Sequence, residues 1–341
     1  MSSFDLITVG NAIIDTYLTL HDAHLPAGRQ VPNVRLDEKT KELCFPSGAK
    51  IKVDKAEFLL GGNAANVAVG ATRLGYVAAI AAEIGDDEFS EKIVNTFKKD
   101  HIDLSLLKRS HAGSSFAIGI NFQGERTLFV EHVKRVHDFT FENTTSKWMY
   151  LTSIGQEWHT AYKNALGFVD SAHVHLAYNP GTYQLEMLGQ EVFPILSRCD
   201  ILFVNKEEAA AITQFKLPEG DDLKENEKII VDLLQILSDH GVKTVVITDG
   251  KNGAYCHFEK TILHASQFPA EIVERTGAGD AFATGFLGAV MSGLDHKEAM
   301  KWGSVNAASV IEHIGAQEGL LGKEDIQKRL QAHPEFEVQT L

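Results

Sequence analysis

Two periodicities alternate along the 341-residue chain. Short apolar runs, LITVG at 6–10, VAAIAA at 77–82, WMYL at 148–151, HVHLAY at 173–178, ILFV at 201–204 and TVVIT at 244–248, have the length of buried strands. Between them, residues 63–74, 87–99, 159–168, 206–213 and 226–239 carry apolar side chains three and four apart, several of them after Gly, Asp or Asn start signals. Strand then helix, repeated, predicts an α/β fold with a largely parallel sheet covered on both faces. The last third turns helical at 279–292 and 296–312, and the remaining tail reads as polar and peripheral.

Two regions break the rhythm. Residues 16–60 hold extended pieces, TYLTL, VPNVRL, ELCF and KIKV, separated by Pro and Gly and without a helix. SSFAIGINFQGERTLFVEH at 114–132 reads as a hairpin with a Gln-Gly turn. Inserted into an α/β domain, segments at about 16–60 and 112–135 predict a small β-sheet lid over a site. No repeat and no Ser- or Pro-rich linker divides the chain, so one domain is expected over 1–341.

Composition narrows the partners. With 44% hydrophobic and 23% charged residues the chain reads as an ordinary globular protein. A formal charge of -14 disfavours nucleic acid and anionic membrane, so an anionic ligand needs a local positive site. Cys44, Cys199 and Cys256 lack paired spacing, which argues against a disulfide framework or a cysteine zinc site, and the 15 histidines, His173 and His175 among them, show no metal-ligand arrangement. The start MSSFDLITVG has no basic region before an apolar stretch, and a cytoplasmic location is expected.

The candidate chemistry lies in ERTGAGDAFATGF at 274–286. A glycine-rich turn entering a helix gathers free backbone N–H groups and the positive end of the helix dipole at one point, where phosphate binds well. Gly277 and Gly279 have no side chain to block its approach, and Asp280 stands where a carboxylate takes a proton from a hydroxyl aimed at that phosphate. Alone, G-A-G-D reads more readily as a helix start with an acid in its first turn. No P-loop and no G-x-G-x-x-G after the first strand is present, so a nucleotide must bind in another way. GGNAANVAVGATRLG at 61–75 is a second Gly-Gly turn feeding a helix, with Asn63 and Asn66 suited to sugar hydroxyls.

In combination, the turn at 61–75, NKEE at 205–208 and TGAGDAF at 276–282 resemble the ribokinase-like (PfkB) carbohydrate kinase family, from about residue 4 to about 320. The resemblance implies a three-layer α/β/α fold with a small β-sheet lid, and an ATP-dependent kinase that phosphorylates a hydroxyl of a small sugar. It gives Asp280 the role of base, and Gly277, Ala278 and Gly279 that of an anion hole. Asn205 and Glu208 match its N-x-x-E element, which organises Mg²⁺ and its waters around the ATP phosphates. Asp15 matches an aspartate that binds sugar hydroxyls, joined by Gly62, Asn63 and Asn66. Thr248 and Gly250, in TDGKNG at 248–253, match the adenosine-side loop, and Asn306 falls where relatives contact adenine or ribose.

Departures from the pattern raise further expectations. Glu274, Arg275 and Thr276 stand where many relatives carry Asp-Thr-Thr. Arg275 is a candidate clamp for the γ-phosphate or a charged acceptor, and otherwise a partly exposed partner of Glu274. The acid at the position of Glu274 helps hold K⁺ in some relatives, with the GAQ loop at 315–317 nearby, which makes K⁺ a candidate further cofactor. The acceptor stays open: fructose, ribose and 2-keto-3-deoxygluconate fit the sugar reading. A nucleoside fits if lid aromatics such as Phe116, Phe122 or Phe129, or those of 141–150, build a slot for its base; otherwise they pack the sheet. Arg126 is a candidate contact to an acidic sugar. A silent ligand sensor is disfavoured by the intact Asp280 and N-x-x-E, and a nicotinamide dehydrogenase by the missing fingerprint. Exposed lid edges and the family's habit of pairing lids together suggest a homodimer.

Overall fold

A computed structural model describes residues 2–20, 34–37, 40, 42–122, 125–186, 193–218 and 223–341. The Gln123-Gly124 turn of the expected hairpin, the first half of VPNVRL and the Arg126 side chain lie outside the described residues.

The apolar runs form the centre of a nine-stranded sheet. Its spatial order is Val338–Thr340, Thr261–Ala265, Ala254–Phe258, Thr244–Thr248, Ile201–Asn205, His175–Asn179, Thr144–Thr152, Ser2–Val9 and Ala78–Ala81. The last six of these run parallel to one another, and the first three are antiparallel additions at one edge. Successive side chains of a strand point to opposite faces, and here both faces are dry. Ile7, Met149, Leu176, Leu202 and Val245 pack on one side against helices His159–Ala172, Lys206–Thr213 and Leu223–Asp239. Leu6, Tyr150, Ala177, Phe203 and Val246 pack on the other, against Ala278–Met291 and His296–Ile311. Two apolar faces leave no room for polar alternation, which is why these strands read as unbroken runs.

Four shorter strands, in the order Glu125–Glu131, Phe116–Phe122, Ile13–Leu20 and Lys55–Gly61, make the expected second sheet. It begins at Ile13, earlier than read from the sequence, and its last strand is Lys55–Gly61 rather than KIKV. Ile51 and Val53 of that segment pack with Leu20, Val34 and Phe122 in a separate small apolar cluster. The C-terminal tail is not merely peripheral: helix Lys323–Ala332 buries Ile326, and Val338–Thr340 is the sheet's edge strand. Among the described residues no helix is long and apolar enough to cross a membrane.

In an open parallel sheet, ligands bind outside the carboxyl ends of the strands, near the point where the chain order reverses. Ser2–Val9 is that point, with Ala78–Ala81 on one side and Thr144–Thr152 on the other. Asn179, Asn205 and Thr248 end strands of this sheet, Asn63 and Asp280 lie in the first turns of helices, and Asp15 lies on the small sheet.

Candidate active site

The helix Ala278–Met291 starts at Gly277, whose φ of 75° is left-handed and whose missing Cβ would lie 2.4 Å from that of Ala316. Only glycine fits both demands. No side chain caps this helix, so its first N–H groups and dipole face outward for an anion. A Cβ on Gly279 would meet nothing within 4 Å: the space above it is open.

Two cavities meet there. The larger, about 370 Å³, is lined by Phe268, Phe282, Ala308 and Ile311 together with Gly250, Lys251 and Arg275. The smaller, about 270 Å³, is polar and is lined by Asn63, Asn179, Asn205, Glu208, Gly277 and Asp280. Thr248 and Gly279 belong to both. A ligand with an apolar planar end and a charged tail would lie across them with its charge at the helix start. The loop after Thr248 is held by Asp249, whose Oδ2 accepts from Asn226 (2.6 Å) and Asn252 (2.8 Å).

Asp280 is buried, and burial pushes its carboxyl up to about 6. A hydrogen bond of 2.8 Å from Asn66 Nδ2 to its Oδ2 opposes that rise. Across the polar cavity, Asn205 and Glu208 cap the start of Lys206–Thr213 reciprocally: Asn205 Oδ1 accepts from Glu208 N (2.8 Å), and Glu208 Oε2 from Asn205 N (2.9 Å). The cap and the cavity lining are one arrangement, so the helix-start reading of NKEE and the metal reading do not compete. Burial, helped by the nearby Asp280, pushes the Glu208 carboxyl up to about 7. Hard oxygen atoms facing a polar cavity are a donor set that fits Mg²⁺, and a cation there would favour the ionised form of Glu208 against its burial. Among the described residues no three His, Cys, Asp or Glu side chains gather as a metal cluster.

On the acceptor side, Asp15 lies on the inserted sheet, buried, and accepts from the Tyr17 hydroxyl (3.2 Å). A Cβ on the neighbouring Gly61 would come within 2.1 Å of Asp15 Oδ2, so this glycine makes room for the carboxylate. Gly62, at φ 95°, starts the helix Asn63–Arg73 against the carbonyl of Asn11. Asn63 Nδ2 donates to Asn179 Oδ1 (3.3 Å), and Asn179 in turn donates to the carbonyl of Phe203 (2.8 Å). Asn179 went unnoticed in the sequence; its signal is a polar residue ending a buried strand before Pro-Gly.

Several expectations are corrected. Asn306 lines neither cavity; it is wholly buried, donating to the carbonyl of Ala281 (2.7 Å) and accepting from Leu321 N (3.0 Å), a staple between helices rather than a nucleotide contact. Asn66 lines neither cavity and touches the site through Asp280. Glu274 is buried, its Oε2 accepting from Gly315 N (2.8 Å) and its Oε1 from the Thr276 hydroxyl, so it ties the turn to the 315–317 loop where K⁺ was expected. Phe116 packs near Phe89, Phe122 lies in the cluster with Leu20, and Phe129 is exposed, so none of these forms a slot for a base in either cavity. Phe141 stacks on Phe168 and Trp148 on His175, as sheet and helix packing. Arg275 does line the larger cavity, beside Ala278 and Gly279.

Comparison with known proteins agrees with this fold. Residues 32–322 match the model of the pfkB family carbohydrate kinases. A 5-dehydro-2-deoxygluconokinase of Clostridium tetani is 25% identical over 291 residues, 79% of this chain and 83% of its own. An Escherichia coli fructokinase is 26% identical over 243 residues, 67% and 75% of the two chains. An Arabidopsis thaliana ribokinase solved with ribose and ATP superposes with a TM-score of 0.74 at 18% identity, covering 97% and 99%. A Methanocaldococcus jannaschii nucleoside kinase does so with 0.72 at 20% identity, covering 98% and 100%. With its three-layer fold, its small second sheet and a family match over most of its length, the chain belongs to the pfkB family of carbohydrate kinases, phosphotransferases that act on a sugar hydroxyl.

Proposed function

We propose that the chain transfers the γ-phosphoryl group of Mg-ATP to a primary hydroxyl of a small sugar, of the kind represented by fructose, ribose or 2-keto-3-deoxygluconate. The observation that carries this is the meeting of an apolar and a polar cavity at Gly279, with Asp280 in the polar one and an uncapped helix start between them. The names of the fructokinase and dehydrodeoxygluconokinase relatives support a sugar acceptor.

Adenine and ribose lie in the larger cavity beside Thr248 and Gly250, and the phosphates reach the N–H groups of residues 277–279. Asn205 and Glu208 would hold Mg²⁺ and its waters; bound there, the ion neutralises charge on the phosphate oxygens. Arg275 adds a fixed positive charge against the transferred group. Asp15 and Asn63 hold the sugar, with Gly62 letting the backbone approach. Asp280 takes the proton of the attacking hydroxyl as its oxygen bonds to the γ-phosphorus and the bond to the β-phosphate oxygen breaks, releasing ADP. The inserted sheet, acting as a lid, keeps water from the phosphoryl group.

The test is ADP release with Mg-ATP across fructose, ribose, 2-keto-3-deoxygluconate, sugar phosphates and nucleosides, beside Asp280→Asn. A sugar-dependent signal lost by about 10²-fold or more in the variant is expected. Full turnover in Asp280→Asn removes the base, and a signal from nucleosides alone reassigns the acceptor.

The edge strand Glu125–Glu131 also exposes Leu128, Phe129 and Val130, at 41, 55 and 48%. We propose that a second copy covers this edge as a homodimer. Light scattering should give twice the chain mass for the native protein and a monomer for Phe129→Lys.

A further inference from the structure

Asp280 is joined through two buried amides to the 315–317 loop. Asn66 Nδ2 donates to Asp280 Oδ2 (2.8 Å), and Gln317 Nε2 donates to Asn66 Oδ1 (2.9 Å). Asp280, Asn66 and Gln317 are only 9, 4 and 7% exposed. The loop bearing Gln317 is pinned on both sides. Arg73 donates to the carbonyls of Gln317 and Leu320 while its Nε pairs with Asp100 (3.1 Å), and Gly315 N donates to Glu274.

A primary amide has a donor end and an acceptor end, so a chain of them has a direction. Because Gln317 offers N–H to the oxygen of Asn66, the N–H of Asn66 faces Asp280. A carboxylate oxygen that accepts an N–H is held as an acceptor, which leaves the other oxygen, Oδ1, to receive a proton. Turned the other way, Asn66 would present its oxygen to Asp280, and the carboxyl would have to carry the proton already. We propose that Gln317, acting through Asn66, is a positioning residue that fixes which oxygen of Asp280 accepts the proton and holds the carboxylate ready to do so. This inference rests on Asp280 being the base.

Other charges near the pair are few. Glu208 faces Asp280 from the helix Lys206–Thr213 and Tyr150 from the strand Thr144–Thr152; Arg73, Asp100 and Glu274 surround the loop end. The first turn of Asn63–Arg73 carries no acid. The Asn66 hydrogen bond is the interaction that lowers the Asp280 carboxyl against the rise caused by burial, so reversing it should be visible in titration.

Gln317→Glu keeps the shape but places an oxygen where the N–H was, which turns the Asn66 amide round. Gln317→Met removes the donor without reversing the chain. The ¹³C signal of the Asp280 carboxyl, assigned with Asp280→Asn, is titrated by NMR. The pH profile of kcat/KM is taken with Mg-ATP and whichever of fructose, ribose and 2-keto-3-deoxygluconate releases most ADP. The expected result for Gln317→Glu is a midpoint about one pH unit higher, a tenfold rise in proton affinity, in both measurements, with KM for ATP unchanged. Gln317→Met should move the same way by less, and it decides the matter if the Glu variant does not fold. Native midpoints in both variants, with Asp280→Asn inactive, overturn the relay and leave the base standing. An active Asp280→Asn instead overturns the base, and the relay with it.

Discussion

Gly279→Ala separates stability from catalysis. Unlike Gly277, Gly279 is not among the glycines with left-handed backbone, and it lies inside the first turn of Ala278–Met291. An added methyl would touch no atom within 4 Å beyond its own helix. Replacing a helical glycine by alanine stabilises by up to about 0.5–1 kcal/mol. At roughly 2–4 °C per kcal/mol for a large domain, the variant should melt about 1–4 °C higher. The same methyl projects into the space shared by the two cavities, where the proposed mechanism puts the transferred phosphoryl group on the N–H groups. Loss of one such donor costs on the order of 10²–10³ in turnover. Differential scanning fluorimetry and steady-state ADP release on the same preparation read both quantities. A higher melting point with turnover down at least 10²-fold is expected. Native turnover would mean that phosphoryl transfer does not pass over Gly279, and a lower melting point would mean that the space is not open.

Gly61→Ala should displace the Asp15 carboxylate, since its Cβ would come within 2.1 Å of Oδ2. Loss of a charged hydrogen bond predicts KM for the sugar up by about 10–100-fold with KM for ATP unchanged; an equal rise in both would sink the assignment of Asp15 to the acceptor. Turnover should fall as pH drops through about 6, where Asp280 takes up its proton before the substrate can supply one. The stability effect has the opposite sign. A carboxyl raised on folding stabilises the fold below the ordinary carboxylate range and loses that contribution as pH rises through about 6. Asp280→Asn should therefore melt above the native protein at pH 8 and level with it near pH 4; a lower melting point at pH 8 would refute the raised carboxyl.

The parallel core was readable because each of its strands is buried on both faces, and a continuous apolar run of that length, between two amphipathic stretches, has few alternatives to a central strand. The antiparallel edge was not. Ala254–Phe258 and Thr261–Ala265 mix His, Cys and Thr with apolar residues, and they turn through Glu259 at φ 52°, a position where glycine would have been the readable signal. Val338–Thr340 buries one residue, too little for a pattern. At the site, the helix starts at Gly277 and Asn205 were legible because backbone turns and caps are local chemistry. The hydrogen-bond partners of Asn306 and Asn66 were not, because the direction a helical amide points is decided by helices far away in sequence. Gln317 lies in the GAQ loop noted in the sequence, but its hydrogen bond to Asn66, 251 residues away, had no local signal.

The bonds Asn66–Asp280 and Gln317–Asn66 span 214 and 251 residues. Contacts of such sequence separation carry the largest loop-closure entropy and form late unless other structure brings their partners together. In sequence, every strand from Ala78–Ala81 to Thr261–Ala265 lies between the helix Asn63–Arg73 and the 315–317 loop. Recovery of turnover during refolding should accordingly lag behind recovery of helical circular dichroism, and enzymatic activity becomes a clock for the final docking of the two ends of the chain.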